Sequence, residues 1–393
     1  MKTVYLDHCA TTPLHPDVLK AMLPFLRNSF GNPSSIHALG RKAREAVEEA
    51  RGKVAALIGA NASEIVFTSG GTEANNLAIQ GIAHDGKDRG RHIITSSIEH
   101  HAVIKTCQYL ERNGFAVTYL PVDHHGIVNP EGVKKALTDK TILISIMHAN
   151  NEVGTIEPID EIGKIATERG ISFHTDAVQS AGKLPLNVKE MGVNFLSISA
   201  HKFYGPKGIG ALYIREGIKI EPILHGGEQE KGFRSGTENV ASIVGLGTAC
   251  ELANKAVPVL GKKIRKLRDT LQERLSAAVP GLKINGHPIL RLPNCLSVSV
   301  PGIMGETILR DLDARGIAVS AGSACTSHSV EISHVLSAMG LHKETAQGTV
   351  RLSLGIMNTP DEIEYAATAF VEVVEKLKTL SEIENSLGSR RCY

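Results

Sequence analysis

The chain has 393 residues, 42% of them hydrophobic and 21% charged, with a formal net charge of +2. This length and apolar content suit two domains, or one large domain with an appendage, and so small a charge excludes the basic field of a nucleic-acid surface. The six cysteines (Cys9, Cys107, Cys250, Cys295, Cys325 and Cys392) are too scattered for a disulfide framework. The start, MKTVYLDHCATTP, has no apolar leader, and no run approaches the length of a membrane span, so a soluble protein of the reducing cytoplasm, away from membranes, is expected.

From about Ala38 the chain alternates helical and strand patterns. ALGRKAREAVEEARGKVAALIG places Ala43, Val47, Ala50, Val54 and Leu57 on one helical stripe. EIVFTSG then reads as a strand, TEANNLAIQGIAH as a helix, RHIITSS as a strand, the segment from His100 as a helix and FAVTYLPV as a strand. TILISIMH, ISFHTDA, NFLSISA and IGALYIR follow as short β-rich runs. Strands alternating with helices predict a mostly parallel sheet covered on both faces, with ligands beyond the carboxyl ends of its strands. A long charged helix is expected over about Val240 to Ala278. After it the pattern thins to PNCLSVSV (strand), GETILRDLDARG (helix), the small-residue stretch SAGSACTSHS, TVRLSLG (strand) and a helix from about Asp361, which reads as a smaller α+β domain. The polar end NSLGSRRCY is expected to fray.

Three segments combine into a candidate site. TSGGTEANN ends a strand with a glycine pair and opens a helix, with Thr72 as its expected N-cap; backbone N–H groups and the helix dipole there favour an anion. FHTDAVQS places Asp176 at a strand end with Gln179 three residues on, where the acid either caps the next turn or holds a proton on a heterocyclic nitrogen. SISAHKFYGPKG brings Lys202 out of a buried strand, either snorkelling to solvent or as a desolvated amine suited to Schiff-base formation. Together they supply what pyridoxal phosphate needs: an amine for its aldehyde, an acid for its ring nitrogen and a helix N-terminus for its phosphate. GIAHDGKD has Asp88 where a Walker loop needs Ser or Thr, and no Gly-x-Gly-x-x-Gly follows the first strand. The pairs His100-His101 and His124-His125 lack metal-ligand spacing, so no metal is expected. Arg351, inside an apolar strand, needs either an internal carboxylate or that of a substrate.

In order, YLDHCATTP, FGNPSSIHALG, TSGGTEANN, IEHHAV, HANNEVGT, HTDAVQSAG, SAHKFYGPKGIG, RSGTEN, GSACTS and RLSLG closely resemble the cysteine desulfurases of the NifS/IscS type, in class V of the aminotransferase superfamily. The resemblance implies a pyridoxal-phosphate-dependent fold type I: a large domain around a mostly parallel seven-stranded sheet plus a smaller α+β domain. It divides the chain into residues 1–15 packing with the small domain, 16–258 binding the cofactor, and 259–393 carrying a cysteine loop at about 320–335. By motif, Lys202 would carry the cofactor and move protons, Asp176 would pair with the ring nitrogen, and Gln179 would reach the ring hydroxyl. His100 would stack on the ring, while Gly71, Thr72, Ser199 and His201 would hold the phosphate. Thr237 would add a phosphate contact from the neighbouring subunit of a homodimer. Asn151 and Arg351, with Asn32, would orient the carboxylate of L-cysteine. Cys325 would accept its sulfur as a persulfide, leaving alanine, and pass the sulfur to an acceptor such as an iron–sulfur cluster scaffold.

Several positions depart from the family pattern: His328 and Ile332 replace a usual glycine and proline, Glu228 in HGGEQEKG replaces a common third glycine, and Cys9 is unusual in its motif. Cys9 reads as a small buried side chain. Only a thiolate is nucleophilic, so a proton acceptor near Cys325 is expected, with His328 one candidate. The competing expectations are selenocysteine lysis or another class V reaction on the same scaffold, for which Cys325 is the discriminating residue, and a non-catalytic sulfur-handling scaffold, which would not need Lys202 and Asp176.

Overall fold

The computed structural model describes residues 3–321 and 332–388. In chain order its elements are β1 (Val4–Tyr5), α1 (Pro16–Arg27), α2 (Ala38–Ile58), β2 (Ile65–Thr68), α3 (Gly71–Asp85), β3 (His92–Ser96), α4 (His101–Arg112), β4 (Ala116–Leu120), α5 (Pro130–Ala136), β5 (Thr141–Ser145), α6 (Ile159–Glu168), β6 (Ser172–Asp176), β7 (Phe195–Ser199) and β8 (Gly210–Ile214). After these come α7 (Val240–Ala278), β9 (Lys283–Asn285), β10 (Cys295–Ser299), α8 (Gly305–Asp313), β11 (Ile317–Ala318), β12 (Ser320–Ala321), α9 (His334–Ala338), α10 (Lys343–Gln347), β13 (Thr349–Ser353) and α11 (Pro360–Gly388).

Seven strands form the main sheet in the order β2-β8-β7-β6-β5-β3-β4. All neighbours run parallel except β8, which is antiparallel to both β2 and β7. Every residue of β2, β3, β5, β7 and β8 is buried, because helices cover both faces. One face packs Phe67, Ile94, Ile144 and Phe173 against α2, α6 and the first half of α7; the other packs Phe195, Leu212 and Ile93 against α3 and α4. The expected stripe of α2 is buried along its length, and Gly59 ends that helix at φ 70°, in the left-handed region that glycine adopts without strain.

A separate core gathers Leu296, Val298, Val350 and Leu352 of the antiparallel sheet β12-β13-β10-β9 with Ile308, Phe370 and Val373. Helix α7 serves both bodies. Ile243, Leu246 and Cys250 face the first core, and Ile264, Leu267, Leu271 and Leu275 face the second. Between Val240–Val257 and Gly261–Ala278 the helix bends by 74°, with Pro258 removing one backbone donor at the bend. The N-terminal strand β1 pairs in parallel with β11 and Leu6 enters the second core, while Thr12 and His15 bond back to His201 and Tyr204. No single helix among the described residues is long and apolar enough to cross a membrane.

Two local expectations differ. The N-cap of α3 is Gly70, and Thr72 is an exposed residue of its first turn; the glycine pair lets the chain turn at φ 155° directly into the helix. The polar end begins as helix, since α11 continues to Gly388; residues 389–393 lie outside the described residues. Phe370 is fully buried in the second core, so Phe370→Ala is expected to destabilise the protein by about 3–5 kcal/mol. Urea unfolding measures this, and a loss below about 1 kcal/mol would mean the side chain is not packed as described.

Candidate active site

The carboxyl ends of β3, β5, β6 and β7 open on one rim of the main sheet, and a cavity of about 360 Å³ lies there. From the sheet side it is lined by Gly71, Thr72 and Asn75 of α3, His100 and His101, Asn151 and Glu152, Asp176, Gln179, Ser199, His201 and Lys202. Its opposite wall is Cys9 and Ala10, Arg351 of β13, and Ile332 to His334. Topology explains this convergence: each parallel strand delivers its next loop to the same edge.

Lys202 ends the 3-10 turn Ala200–Lys202 that follows β7. Two residues later Tyr204 takes a left-handed φ of 69°, a strained state for a bulky residue. It is held there by its N–H donating to Thr12 Oγ1 (2.6 Å) and its hydroxyl accepting from the Ile356 N–H (2.8 Å). Lys202 Nζ donates to the carbonyls of Cys9 and Ala10, both at 2.7 Å, and bonds no carboxylate among the described residues. Burial, helped by the neighbouring Lys183 ammonium, brings its amine down to about 8. Lys183 itself donates to Gln179 Oε1 (2.9 Å), and burial lowers it as well.

Asp176, the last residue of β6, is buried. Its Oδ1 accepts the Val178 N–H (2.9 Å) and its Oδ2 accepts Asn75 Nδ2 (2.6 Å). Asn75 is a helix residue whose Oδ1 is buried without a partner among the described residues. Gln179 is already engaged at both ends, since its Nε2 donates to the Cys9 carbonyl at 2.8 Å. His100 caps α4: its Nδ1 accepts the Ala102 N–H (3.1 Å), so the neutral ring carries its proton on Nε2. Burial lowers its basicity, as it does for His201, which drops to about 4. At the start of α3, Gly70 offers no side-chain cap, which leaves the first helical N–H groups for another acceptor. A Cβ on Gly71 would stand 2.6 Å from Val178 Cγ2, so only glycine fits this approach.

Arg351 resolves the alternative left open by its strand position. Nη2 donates to Asp7 Oδ1 and Nη1 to the Asn151 carbonyl, both at 2.8 Å, so an internal carboxylate partners it. Its Nε is buried with no partner among the described residues, and each terminal nitrogen keeps a further N–H. Two expected residues are not brought to this cavity within the chain. Asn32 is exposed, its Oδ1 accepting the Ser34 N–H (2.9 Å), and Thr237 is exposed beyond the cavity lining. Cys325 and His328 lie outside the described residues. Cys9 is 1% exposed and packs with Cys295, Ala149 and Leu292, as its reading as a small buried side chain required.

Sequence reasoning missed four participants. Glu99 lies behind His100, fully buried, and its Oε1 accepts Ser96 Oγ (2.6 Å) and the Met147 N–H (2.9 Å), while burial pushes its carboxyl up to about 8. Glu152, in the cavity wall, is pushed up to about 7 by burial. Asp7 holds Arg351, and Asn75 holds Asp176. All four stand inside quoted motifs, Asp7 in YLDHCATTP, so acids and amides beside candidate residues were the available signal.

The aminotransferase class V family pattern matches residues 4–366. A cysteine desulfurase IscS from Dictyoglomus turgidum is 54% identical over 380 residues, covering 97% of this chain and 96% of that protein. Among solved structures, a NifS-like protein superposes with a TM-score of 0.90 at 42% identity, covering 96% of this chain and all of its own. Another, described as SspA in complex with cysteine, gives 0.80 at 41% identity over 90% of this chain and 99% of its own. Likeness that runs through both cores and the cavity between them makes this chain a member of the class V aminotransferase family, in its cysteine desulfurase branch.

Proposed function

We propose that the protein converts L-cysteine to L-alanine with pyridoxal phosphate and retains the sulfur on Cys325 as a persulfide. The observation that carries this reading is Lys202, a buried amine lowered to about 8 with only carbonyl partners, in one cavity with Asp176 and an uncapped helix N-terminus. The cavity suits the cofactor: the first N–H groups of α3 face it past Gly71, where a Cβ would collide, and a buried carboxylate stands at a strand end. Gly71, Thr72, Ser199 and His201 would hold the phosphate, Asp176 the ring nitrogen, Gln179 the ring hydroxyl and Lys202 the aldehyde carbon. When bound, pyridoxal phosphate supplies an electrophilic carbon for amines and an electron sink for charge developing at Cα.

The chain's own groups do the rest. Asp176, anchored by Asn75 and the Val178 amide, would face the ring nitrogen with its carboxyl group and hold a proton there. With the cofactor in place, Lys202 Nζ would take the α-proton as a neutral base, a task its lowered basicity favours. His100 presents Nε2–H for proton donation. Arg351, aligned by Asp7, and Asn151 would orient the substrate carboxylate. The thiolate of Cys325 would attack the substrate sulfur, forming the S–S bond as the substrate's Cβ–S bond breaks; the electron pair of that bond stays with the carbon fragment, which takes up protons and leaves as alanine.

We further assign residues 16–258 to the cofactor-binding domain, residues 259–393 to the smaller one, and residues 1–15 to a segment joining the two. Thr237 and Asn32 are assigned to a neighbouring subunit's cavity in a homodimer, which fits their exposure here. The acceptor of the sulfur would be a protein such as an iron–sulfur cluster scaffold. The free thiols at Cys9, Cys107, Cys250 and Cys295 suit a reducing cytoplasm.

Turnover of L-cysteine under reducing conditions tests the reading: equal alanine and sulfide are expected, and their absence from the cofactor-loaded protein would sink it. A pH series adds a sharper expectation. Below about 8 Lys202 is mainly ammonium and cannot attack an aldehyde, so capture of pyridoxal phosphate by the cofactor-free protein should rise about tenfold per pH unit and then level off. A rate still climbing through the ordinary lysine range would contradict the lowered amine.

A further inference from the structure

The sequence between Ala321 and Ile332 holds Cys325, and both of its described ends are fastened to the cavity. On the N-terminal side, Ser320 of β12 pairs with Arg351 of β13. On the C-terminal side, Ser333 Oγ–H donates to Glu152 Oε2, while the same oxygen accepts the N–H groups of Val335 (3.1 Å) and Leu336 (3.3 Å) to start α9. The next residue, His334, bonds through Nε2 to the Glu99 carbonyl (2.9 Å). Glu152 is suited to act as an anchor. It is 7% exposed, its N–H donates to Asn150 Oδ1 (2.8 Å), and its carbonyl accepts the Cys295 thiol (3.7 Å). Its backbone is thus fixed on both sides, and its carboxyl group meets Ser333 through Oε2.

We propose that Glu152 is a positioning residue for sulfur transfer, pinning through Ser333 the C-terminal end of the segment that carries Cys325 to the cavity wall. This rests on the desulfurase reading above. The effective concentration of a tethered group depends on where both ends of its tether are fixed. Releasing one end spreads the thiol over a larger volume and slows its attack. The contacts that bind the substrate amine and carboxylate are left in place.

The test follows two quantities in the cofactor-loaded enzyme. One is kcat for alanine formation; the other is the cofactor's absorbance change on adding L-cysteine, which reports substrate binding before sulfur moves. Glu152→Ala and Ser333→Ala are each expected to lower kcat about tenfold, the scale of losing one buried hydrogen bond. Half-saturation of the absorbance change should stay within about twofold in both. The double variant should be no slower than the slower single one, because both remove the same bond. Ser333→Thr, which keeps the hydroxyl and the cap, should restore kcat, and Glu152→Gln, which keeps an acceptor, should restore most of it. Unchanged kcat in Glu152→Ala, losses that multiply in the double variant, or half-saturation rising in step with the loss of kcat would each overturn the proposal. If the wild-type enzyme binds L-cysteine yet forms no alanine, the desulfurase reading itself fails, an outcome distinct from a wild-type enzyme that turns over and variants that match it.

Discussion

Lys202→Ala is expected to slow alanine formation from L-cysteine by on the order of 10³-fold or more, since it removes both the group that carries the cofactor and the base for the α-proton. The magnitude follows from the site. The Lys202 amine is bonded to the carbonyls of Cys9 and Ala10 at the cavity wall, and burial together with Lys183 keeps it near 8, where a neutral base is accessible at physiological pH. Lys183 cannot substitute, being tied to Gln179 Oε1. Removing Lys202 also leaves the Ala10 carbonyl without its donor, while the Cys9 carbonyl keeps Gln179 Nε2, so a modest loss of stability should accompany the kinetic one. Circular dichroism separates the two effects: a folded variant with lost turnover fits the account, and a folded variant turning over at the wild-type rate contradicts it.

Asp176→Asn should lower kcat by about 10²–10³-fold, the scale of losing one preorganised electrostatic group at a reacting centre. The substitution keeps the shape and an acceptor for the Val178 amide but removes the charge that Asn75 and Val178 hold in place. Because the charge acts on the developing carbanion more than on bound substrate, KM for L-cysteine should change little. Kinetics over a range of L-cysteine concentrations checks this, and a loss seen only in KM would move Asp176 from the chemistry to binding.

The two sites behind these predictions were legible because each falls where a local signal ends. Asp176 closes the run SFHTD, and Lys202 follows the run FLSIS by three residues, both runs buried or nearly so, and a polar residue at the end of an apolar strand is visible in sequence. The glycine pair before α3 was equally visible, although which residue caps the helix was not: Gly70 replaces Thr72 because its φ of 155° suits glycine. What sequence could not show was pairing across the fold. Asp7 meets Arg351 over 344 positions, Lys202 meets the Cys9 carbonyl over 193, and Ser333 meets Glu152 over 181. Period and motif are local, whereas these bonds exist only once two separate cores are packed around one cavity. The bend in α7 is intermediate: Pro258 marks it in sequence, but only the change of partners from Leu246 to Leu271 shows that it joins the two cores.

The most direct measurement of the central claim is a single turnover without reductant. The cofactor-loaded protein is mixed with L-cysteine, alanine is counted per active site, and the peptide containing Cys325 is weighed by mass spectrometry. The account predicts one alanine per site, with that peptide heavier by one sulfur atom. Alanine formed in that amount with no sulfur on Cys325, or a carbon product other than alanine, would contradict it.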